Sequence, residues 1–142
     1  MADRKDPFRS FRFRVEIDGI NQAGFTDVTL PDSSVDPVEY REGTDKYTRK
    51  LAGFWKEGNV SLKWGITDST QLYDWYKSCK EGNVQRKNVA IKLMDENDKE
   101  VASWTFDSAW PIKYKAPDFS AKTHDVGIEN LELVHEGMKR VK

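Results

Sequence analysis

The sequence predicts a mainly β protein: an antiparallel β-barrel or sandwich of seven or eight strands, with one flanking α-helix and a long early hairpin loop. Apolar and polar residues alternate in several short runs, which is the periodicity of half-buried strands. A helical period occurs convincingly once, over residues 68–81. No run rich in Pro, Gly or Ser divides the 142 residues, so we expect one domain over residues 1–142.

The first predicted strand has one apolar face and one charged face. Its apolar face is formed by Phe11, Phe13, Val15 and Ile17. Its charged face is formed by the residues between them, Arg12, Arg14, Glu16 and Asp18. Asp18 and Gly19 then form a dipeptide that favours a tight hairpin turn. We therefore expect the chain to fold back toward Phe25 and Val28 and to begin as a meander.

Four later strands follow from the same alternation. Three of them are predicted over residues 60–65, 89–94 and 102–107. The polar run 95–100 has the Asn and Asp content of a hairpin loop, which makes its flanking strands antiparallel neighbours. A final strand is expected over residues 126–135. Its apolar phase slips between Ile128 and Leu131, which indicates a β-bulge or a change of buried face.

The helix over residues 68–81 has one apolar stripe. The stripe follows i, i+3, i+4 and i+7 spacing and consists of Leu72, Trp75, Tyr76 and Cys79. Asp68 followed by Gln71 resembles a capping box at the start of the helix. Gly82 supplies a residue that readily adopts the left-handed conformation at its end.

Residues 30–57 form a connection that is unusually long for a compact domain. The segment mixes charged and aromatic residues, including Tyr40, Arg41, Tyr47 and Arg49. Tyr and Arg are enriched at protein interfaces because they combine a large contact area with directional hydrogen bonds. The alternative is a loose hairpin whose charges are solvated. The composition alone does not choose between them.

The sequence offers little support for catalysis or for a cofactor. It contains no phosphate-binding Gly-rich loop, no His-Glu-x-x-His pair and no Cys-x-x-Cys spacing. His124 and His135 could approach each other, but no third metal ligand is evident. Cys79 lies on the apolar stripe of the helix, where a thiol behaves as a small apolar group. We therefore expect no enzymatic activity, no metal and no cofactor.

Charge and hydropathy limit the partners. The chain has 23 basic and 24 acidic residues, a formal charge of -1, which argues against a nucleic-acid footprint. No apolar run approaches the length of about 20 residues that spans a bilayer, and the first residues are polar and charged. The sequence therefore predicts synthesis in the cytoplasm, no specific binding of nucleic acid and no membrane segment.

Five tryptophans suggest a second class of function, a β-sandwich carbohydrate-binding module. Trp64, Trp75 and Trp104 are in phase with the apolar side of a predicted element, so we assign them to the core. Only Trp55 and Trp110 remain as candidates for an exposed platform that could stack on a sugar ring.

The chain also resembles a known family along nearly its whole length. The motifs that carry the resemblance are DPFRSFRFRVEIDGI (6–20), VEYREG (38–43), GNVSLKWGITD (58–68), LYDWY (72–76), AWPIKY (109–114) and DVGIENLELVHEG (125–137). In order and spacing they are similar to the inner tube proteins of contractile phage tails and contractile injection systems, the T4-type tube and Hcp-like family.

The resemblance implies a structural subunit. Such proteins form hexameric rings that stack into a hollow tube, and contraction of the surrounding sheath drives this tube through a target envelope. The implied partners are further copies of the chain, the sheath protein, the baseplate hub or spike, the tail terminator, and protein cargo or a tape measure in the lumen. We favour a protein-delivering injection particle over a phage tail. A tube-like ring at the baseplate or tail end remains an alternative within the same machine.

The resemblance also assigns a place and an interface. The particle is assembled in the cytoplasm and then works as an extracellular particle, a virion component or a cytoplasmic injection system. In this family the early hairpin, here about residues 38–54, contacts neighbouring subunits within and between rings. The interface residues that we predict are Tyr40, Arg41, Glu42, Tyr47, Arg49, Lys50, Leu51 and Phe54.

The lumen of such a tube must remain wet and must not bind what passes through it. We hypothesise that a polar row of strand residues faces this water. The candidate rows are the charged face of the first strand, with Arg12, Arg14 and Glu16, and the row that contains Lys92.

Overall fold

The computed structural model describes residues 12–21, 24–122 and 126–142, which form nine strands and one helix. The strands are β1 (Phe13–Ile17), β2 (Phe25–Thr29), β3 (Ser33–Tyr40), β4 (Arg49–Glu57), β5 (Val60–Gly65), β6 (Lys87–Met94), β7 (Glu100–Lys115), β8 (Ile128–Val134) and β9 (Met138–Arg140). The helix α1 spans Gln71–Lys80. The mainly β class with one helix is confirmed. Phe11 and His124, which the sequence analysis named, lie outside the described residues.

Seven strands form one antiparallel sheet that curves around the core. The strand order is β1-β6-β7-β8-β5-β2, with β9 paired to β7. The sixteen-residue strand β7 pairs with β6 in its first half and with β8 in its second half. Between the halves, Ser108 has a φ of 50°, a conformation in which a non-glycine residue marks a local bend. This bend lets one strand serve both halves of a sandwich.

The core lies between the two halves of this sheet and is closed by the helix. Its buried residues come from most strands and from α1: Ile17, Val60, Leu62, Trp64, Leu72, Trp75, Val89, Ile91, Phe106, Ala109, Leu131 and Leu133. The predicted alternation is confirmed in β5, where the three inward residues are buried and the three between them are less so. The apolar stripe of α1 is also confirmed, because Leu72 and Trp75 are buried and Tyr76 and Cys79 pack against the core.

The predicted meander at the start of the chain is wrong. Gly19 does adopt a positive φ of 74°, and a bridge between Ile17 and Ile20 closes the turn. However, β1 pairs with β6 and β2 pairs with β5, so the two strands lie at opposite ends of the strand order. Both strands therefore take partners that are distant in the sequence, and the turn dipeptide does not determine them.

Three smaller predictions are corrected. The residue that precedes α1 is Thr70, not Asp68, and its side chain makes no capping hydrogen bond; the N–H of Gln71 donates instead to Ser69 Oγ at 3.5 Å. The side chain of Gln71 accepts a hydrogen bond from the backbone N–H of Asn21 at 2.9 Å. Trp110 is half-buried and packs against the core rather than forming an exposed platform. The pairing of β8 with β5 is regular, so the slip in apolar phase between Ile128 and Leu131 does not reflect a bulge in this strand pair. Ile128 is an exposed apolar residue.

The β3–β4 hairpin, residues 33–57, forms a separate two-stranded sheet. The sequence predicted a long loop here, and the structure shows that most of it is paired strand. The hairpin continues outward from the β2–β5 pair, whose last paired residues are Thr29 and Ser61. It is therefore an extension of the body of the protein and covers little of the core.

Candidate assembly interface

The β3–β4 hairpin is exposed along nearly its whole length. In β3 only Val35, and in β4 only Gly53, is half-buried, and every other residue of the two strands is exposed. Its exposed large apolar side chains include Phe54, which is 89% exposed, and Tyr47, which is 84% exposed. A contiguous exposed apolar surface on a small protein marks an interaction site, because leaving it in water is unfavourable.

The apolar side chains cover both faces of the hairpin. Val38 pairs directly with Leu51, so these two side chains share a face. Phe54 and Trp55 are successive residues of a strand, and so they point to opposite faces. A partner that covered only one face would leave a large aromatic side chain in water. This arrangement fits a hairpin held between two surfaces.

The turn of the hairpin is organised by Asp45. Its carboxylate accepts hydrogen bonds from Arg49 Nε at 2.8 Å and from the backbone N–H of Glu42 at 3.1 Å. The backbone carbonyl of Asp45 accepts a hydrogen bond from Arg41 Nε at 2.9 Å. The hydrogen bonds of Arg49 to Asp45 and then to Tyr40 raise the pKa of the guanidinium above its usual value. These contacts give the tip a defined shape.

All eight predicted interface residues lie on this hairpin, but the structure divides them into two groups. Arg41, Glu42 and Arg49 make contacts within the turn, and Tyr40 is hydrogen-bonded to Arg49. The remaining four present exposed side chains: Tyr47, Lys50, Leu51 and Phe54. The sequence analysis missed Asp45, which is recognisable as an Asp in a turn that caps its own loop. It also left Val38 out of the interface and considered Trp55 only as a sugar platform.

The two candidate lumen rows form one surface. Because β1 pairs with β6, Arg14 lies opposite Lys92 and Glu16 lies opposite Ala90 on the same face of the sheet. Lys92 Nζ is 3.0 Å from Glu16 Oε2 and 3.9 Å from Glu100 Oε2. We refer to this surface, which contains Arg14, Glu16 and Lys92, as the charged face.

Arg12 extends the charged face to the β6–β7 loop. Its Nη1 atom is 3.1 Å from Asp98 Oδ1 and donates a hydrogen bond to the carbonyl of Glu96 at 3.1 Å. The surface carries Arg12, Arg14 and Lys92 together with Glu16, Asp98 and Glu100, so no single sign of charge dominates it. Such a surface is well hydrated and binds neither sign of cargo strongly.

Three strands of the sheet have a single strand partner among the described residues. They are the short strand β9, which pairs with β7, and the two ends of the strand order, β1 and β2. An open cavity of about 660 Å³ lies between β1 and β2, and its lining includes Phe13, Val28, Leu93 and Trp104. An unpaired edge presents backbone N–H and C=O groups that can pair with another chain.

The described part of the chain shows no metal or membrane signature. It contains no group of three or more His, Cys, Asp or Glu residues that could hold a metal ion. Among the same residues, no helix is long and apolar enough to cross a bilayer.

Solved structures similar to this one come from contractile injection systems. A chain of the PVC sheath-tube complex, an extracellular contractile injection system in the extended state, is 26% identical with a TM-score of 0.85, over 94% of this chain and 90% of that chain. A chain of the anti-feeding prophage cap, the AFP tube terminating cap, is 25% identical with a TM-score of 0.88, over 99% of this chain and 94% of that chain.

A more distant structure shares the fold alone. Hcp1 from Flavobacterium johnsoniae is 18% identical with a TM-score of 0.64, over 91% of this chain and 94% of that chain. These similarities support the tube protein hypothesis and give none to the carbohydrate-binding module. A comparison with curated proteins found no match. The family model of the T4-like virus tail tube protein gp19 matches residues 9–139, and the chain therefore belongs to this family of tail tube proteins.

Proposed function

We propose that this protein is the structural inner tube subunit of a contractile injection particle. Its copies form hexameric rings, and the rings stack into a hollow tube that is driven through a target envelope when the sheath contracts. The observation that carries the proposal is the β3–β4 hairpin. Its two strands are paired, it extends from the body, and it exposes apolar side chains on both faces. The protein catalyses no reaction in this role.

The physics of assembly requires two kinds of contact. A head-to-tail contact that closes by rotation makes a ring, and a contact with an added rise makes an open stack. We assign the free edges β1 and β2 to contacts around the ring and the hairpin to contacts within and between rings. Burial of an exposed side chain such as Phe54 or Leu51 contributes roughly 1.5–3 kcal/mol, so a few such residues in each of many copies stabilise a long polymer.

The remaining partners are those that an inner tube meets in a contractile injection system. We propose contacts of the assembled tube with the sheath protein, the baseplate hub or spike and the tail terminator, and passage of protein cargo or a tape measure through the lumen. The charged face is our candidate for the lumen surface, because its mixed charges are well hydrated and carry no dominant sign. Assembly takes place in the cytoplasm, and the finished particle is extracellular, part of a virion or an injection system that remains in the cell.

The proposal is tested by tube assembly in vitro. Wild-type protein is expected to give rings or rods in negative-stain electron microscopy. The double substitution Val38→Ser and Leu51→Ser removes an opposed apolar pair that is exposed in the protomer. We expect it to fold with unchanged circular dichroism and to lose tube elongation. Deletion of residues 42–52 should have the same effect.

A matched control is Lys77→Ser, which replaces an exposed side chain on α1 outside the hairpin. This variant should elongate like the wild type. Wild-type elongation by both hairpin variants would show that the hairpin is dispensable and would overturn its assignment as the interface. A carbohydrate-binding module would instead remain monomeric and bind to sugars on a glycan array.

A further inference from the structure

The β3–β4 hairpin meets the body at a short unpaired break. On one strand the break comprises residues 30–32, and on the other residues 58 and 59, which separate β4 from β5. Within the described part of the chain, one backbone hydrogen bond crosses the break, from Gly58 N–H to the carbonyl of Asp32, at 3.0 Å. A two-stranded ribbon with little packing of its own is marginally stable and free to change direction at such a break. Something at its base must hold it in place.

The side chain of His135 lies directly against this break. It follows β8 and is only 2% exposed. One ring nitrogen, Nε2, is 2.9 Å from the carbonyl oxygen of Gly58, and the other, Nδ1, accepts a hydrogen bond from Gly137 N–H at 3.1 Å. Because Nδ1 is an acceptor, the proton of the neutral ring is on Nε2, which donates it to Gly58. Phe106 packs edge-on against the ring, with centroids 5.0 Å apart.

Glu57, the last residue of β4, makes the second contact with the same corner of the body. Its Oε2 atom accepts a hydrogen bond from Met138 N–H at 2.7 Å and lies 3.7 Å from His135 Nδ1. A third contact joins Asn59 Nδ2 to Glu132 Oε1 at 3.0 Å. The base of the hairpin is thus joined by three polar contacts to β8, to β9 and to the corner between them.

We propose that His135 and Glu57 are positioning residues that fix the direction of the β3–β4 hairpin relative to the body, so that a second copy of the chain meets it in one orientation. The inference rests on the proposed function, in which the hairpin joins subunits. A pre-oriented arm loses less conformational freedom when it binds than a swinging one, and the gain is multiplied over every subunit of a tube.

The length of the hairpin explains why its base matters. The nine residues of β4 span about 30 Å at roughly 3.3 Å per residue. A tilt of about 10° at the base therefore moves the tip by about 5 Å, which is enough to separate side chains that touch at a heavy-atom distance of about 4 Å. A small change of angle at His135 and Glu57 consequently produces a large displacement of Tyr47 at the tip.

The competing explanation is that His135 only fills the space beside Phe106. His135→Phe separates the two roles, because it keeps an aromatic ring at this place and removes both hydrogen bonds. Glu57→Ala removes the second contact at a partly exposed side chain, so it leaves the core intact. Glu57→Gln is the conservative control, since its amide oxygen still accepts a hydrogen bond from Met138 N–H.

The experiment measures the direction of the hairpin by electron–electron double resonance in the full-length protomer at a dilution that prevents assembly. Nitroxides are placed at Tyr47→Cys on the tip and Lys77→Cys on α1, in a Cys79→Ala background. Otherwise wild-type protein should give one narrow distance distribution. We expect His135→Phe and Glu57→Ala to broaden it at least twofold or to shift its mean by about 5 Å or more, and Glu57→Gln to leave it narrow.

The inference would be overturned if the distance distribution were unchanged in Glu57→Ala and also in His135→Phe, provided that His135→Phe folds. This holds whatever the two substitutions do to the free energy of unfolding. Failure of the proposed function is visible separately in tube elongation. We expect at least tenfold slower elongation in Glu57→Ala. A broadened distribution with wild-type elongation would keep the positioning role and refute the hairpin as the assembly interface.

Discussion

At the scale of single residues, hydrogen bonding distinguishes two serines of the sheet. Ser103 is buried, and its Oγ has no partner among the described residues, whereas Ser61 Oγ donates to Asn130 Oδ1 at 3.1 Å. A buried hydroxyl without a hydrogen-bond partner destabilises the folded state, whereas a hydrogen-bonded one contributes about 1 kcal/mol to the free energy of unfolding. We expect Ser103→Ala to leave the free energy of unfolding unchanged or raise it by up to about 1 kcal/mol, and Ser61→Ala to lower it by about 1 kcal/mol. Urea unfolding tests both; an equal loss in the two variants would contradict the assignment.

A second residue-scale prediction concerns Tyr114. Burial, and then its 2.5 Å hydrogen bond to Glu129, raise the pKa of the phenol to about 12. An unfolded tyrosine titrates near pH 10. The folded state therefore holds this proton more tightly, so its contribution to stability is complete below about pH 10 and is lost as the pH rises toward 12.

Ultraviolet absorbance of the phenolate measures this titration. We expect one of the five tyrosines to titrate late, Tyr114→Phe to remove that component, and Glu129→Gln to lower its pKa toward the usual value. Titration of all five near pH 10 in folded protein would refute the prediction.

At the scale of elements, the end of α1 depends on one glycine. Gly82 has a φ of 97°, its N–H donates to Cys79 O at 3.2 Å, and Asn83 N–H donates to Ser78 O at 3.0 Å. This is the pair of hydrogen bonds of a Schellman motif, which requires a left-handed residue. Gly82→Ala should therefore lower the free energy of unfolding by about 1 kcal/mol.

Gly43→Ala is the matched control, because Gly43 has open space around its Cα and no positive φ. It should leave the free energy of unfolding within about 0.5 kcal/mol of the wild type. Chemical denaturation of the two variants side by side checks the prediction, and an equal loss in both would contradict it.

Local patterns predicted the elements well and their pairing less well. The alternation in β5 and the stripe of α1 identified buried residues correctly, because burial of a periodic face is encoded within a few residues. The partners of β1 and β2 were not predictable, since β6 and β5 lie far along the chain and a turn dipeptide carries no information about them. The strand β9 was missed because its three residues are too few to show a period.

The β3–β4 hairpin shows the same limit. Its aromatic and arginine content predicted an interface, but composition did not reveal which side chains are exposed. Arg41 and Arg49 are used within the turn around Asp45, while Val38 and Trp55 are exposed. A two-stranded ribbon has no buried face, so its strands lack the alternation that identifies strands elsewhere. The contacts of its base with His135 involve residues far apart in the sequence and became visible only in the structure.

At the scale of the whole molecule, the fold separates three tasks. The core between the halves of the sheet stabilises the protomer, the hairpin carries exposed apolar surface away from the body, and the charged face remains wet. This separation lets a surface be altered for assembly or for cargo without loss of the core. It also means that the orientation of the charged face in a tube can be tested independently of stability.

The final prediction places the charged face on the lumen. Arg14→Cys, in a Cys79→Ala background, provides the probe, because Arg14 lies opposite Lys92 and loss of one of two like charges does not harm the strand pair. In protomers, a small maleimide and a maleimide attached to a particle wider than the tube should both react. In assembled tubes, only the small reagent should react at a comparable rate, since the large one cannot enter the bore. Reaction of tubes with both reagents would place Arg14 on the outside, and protection from both would place it in a subunit contact; either result refutes the lumen assignment.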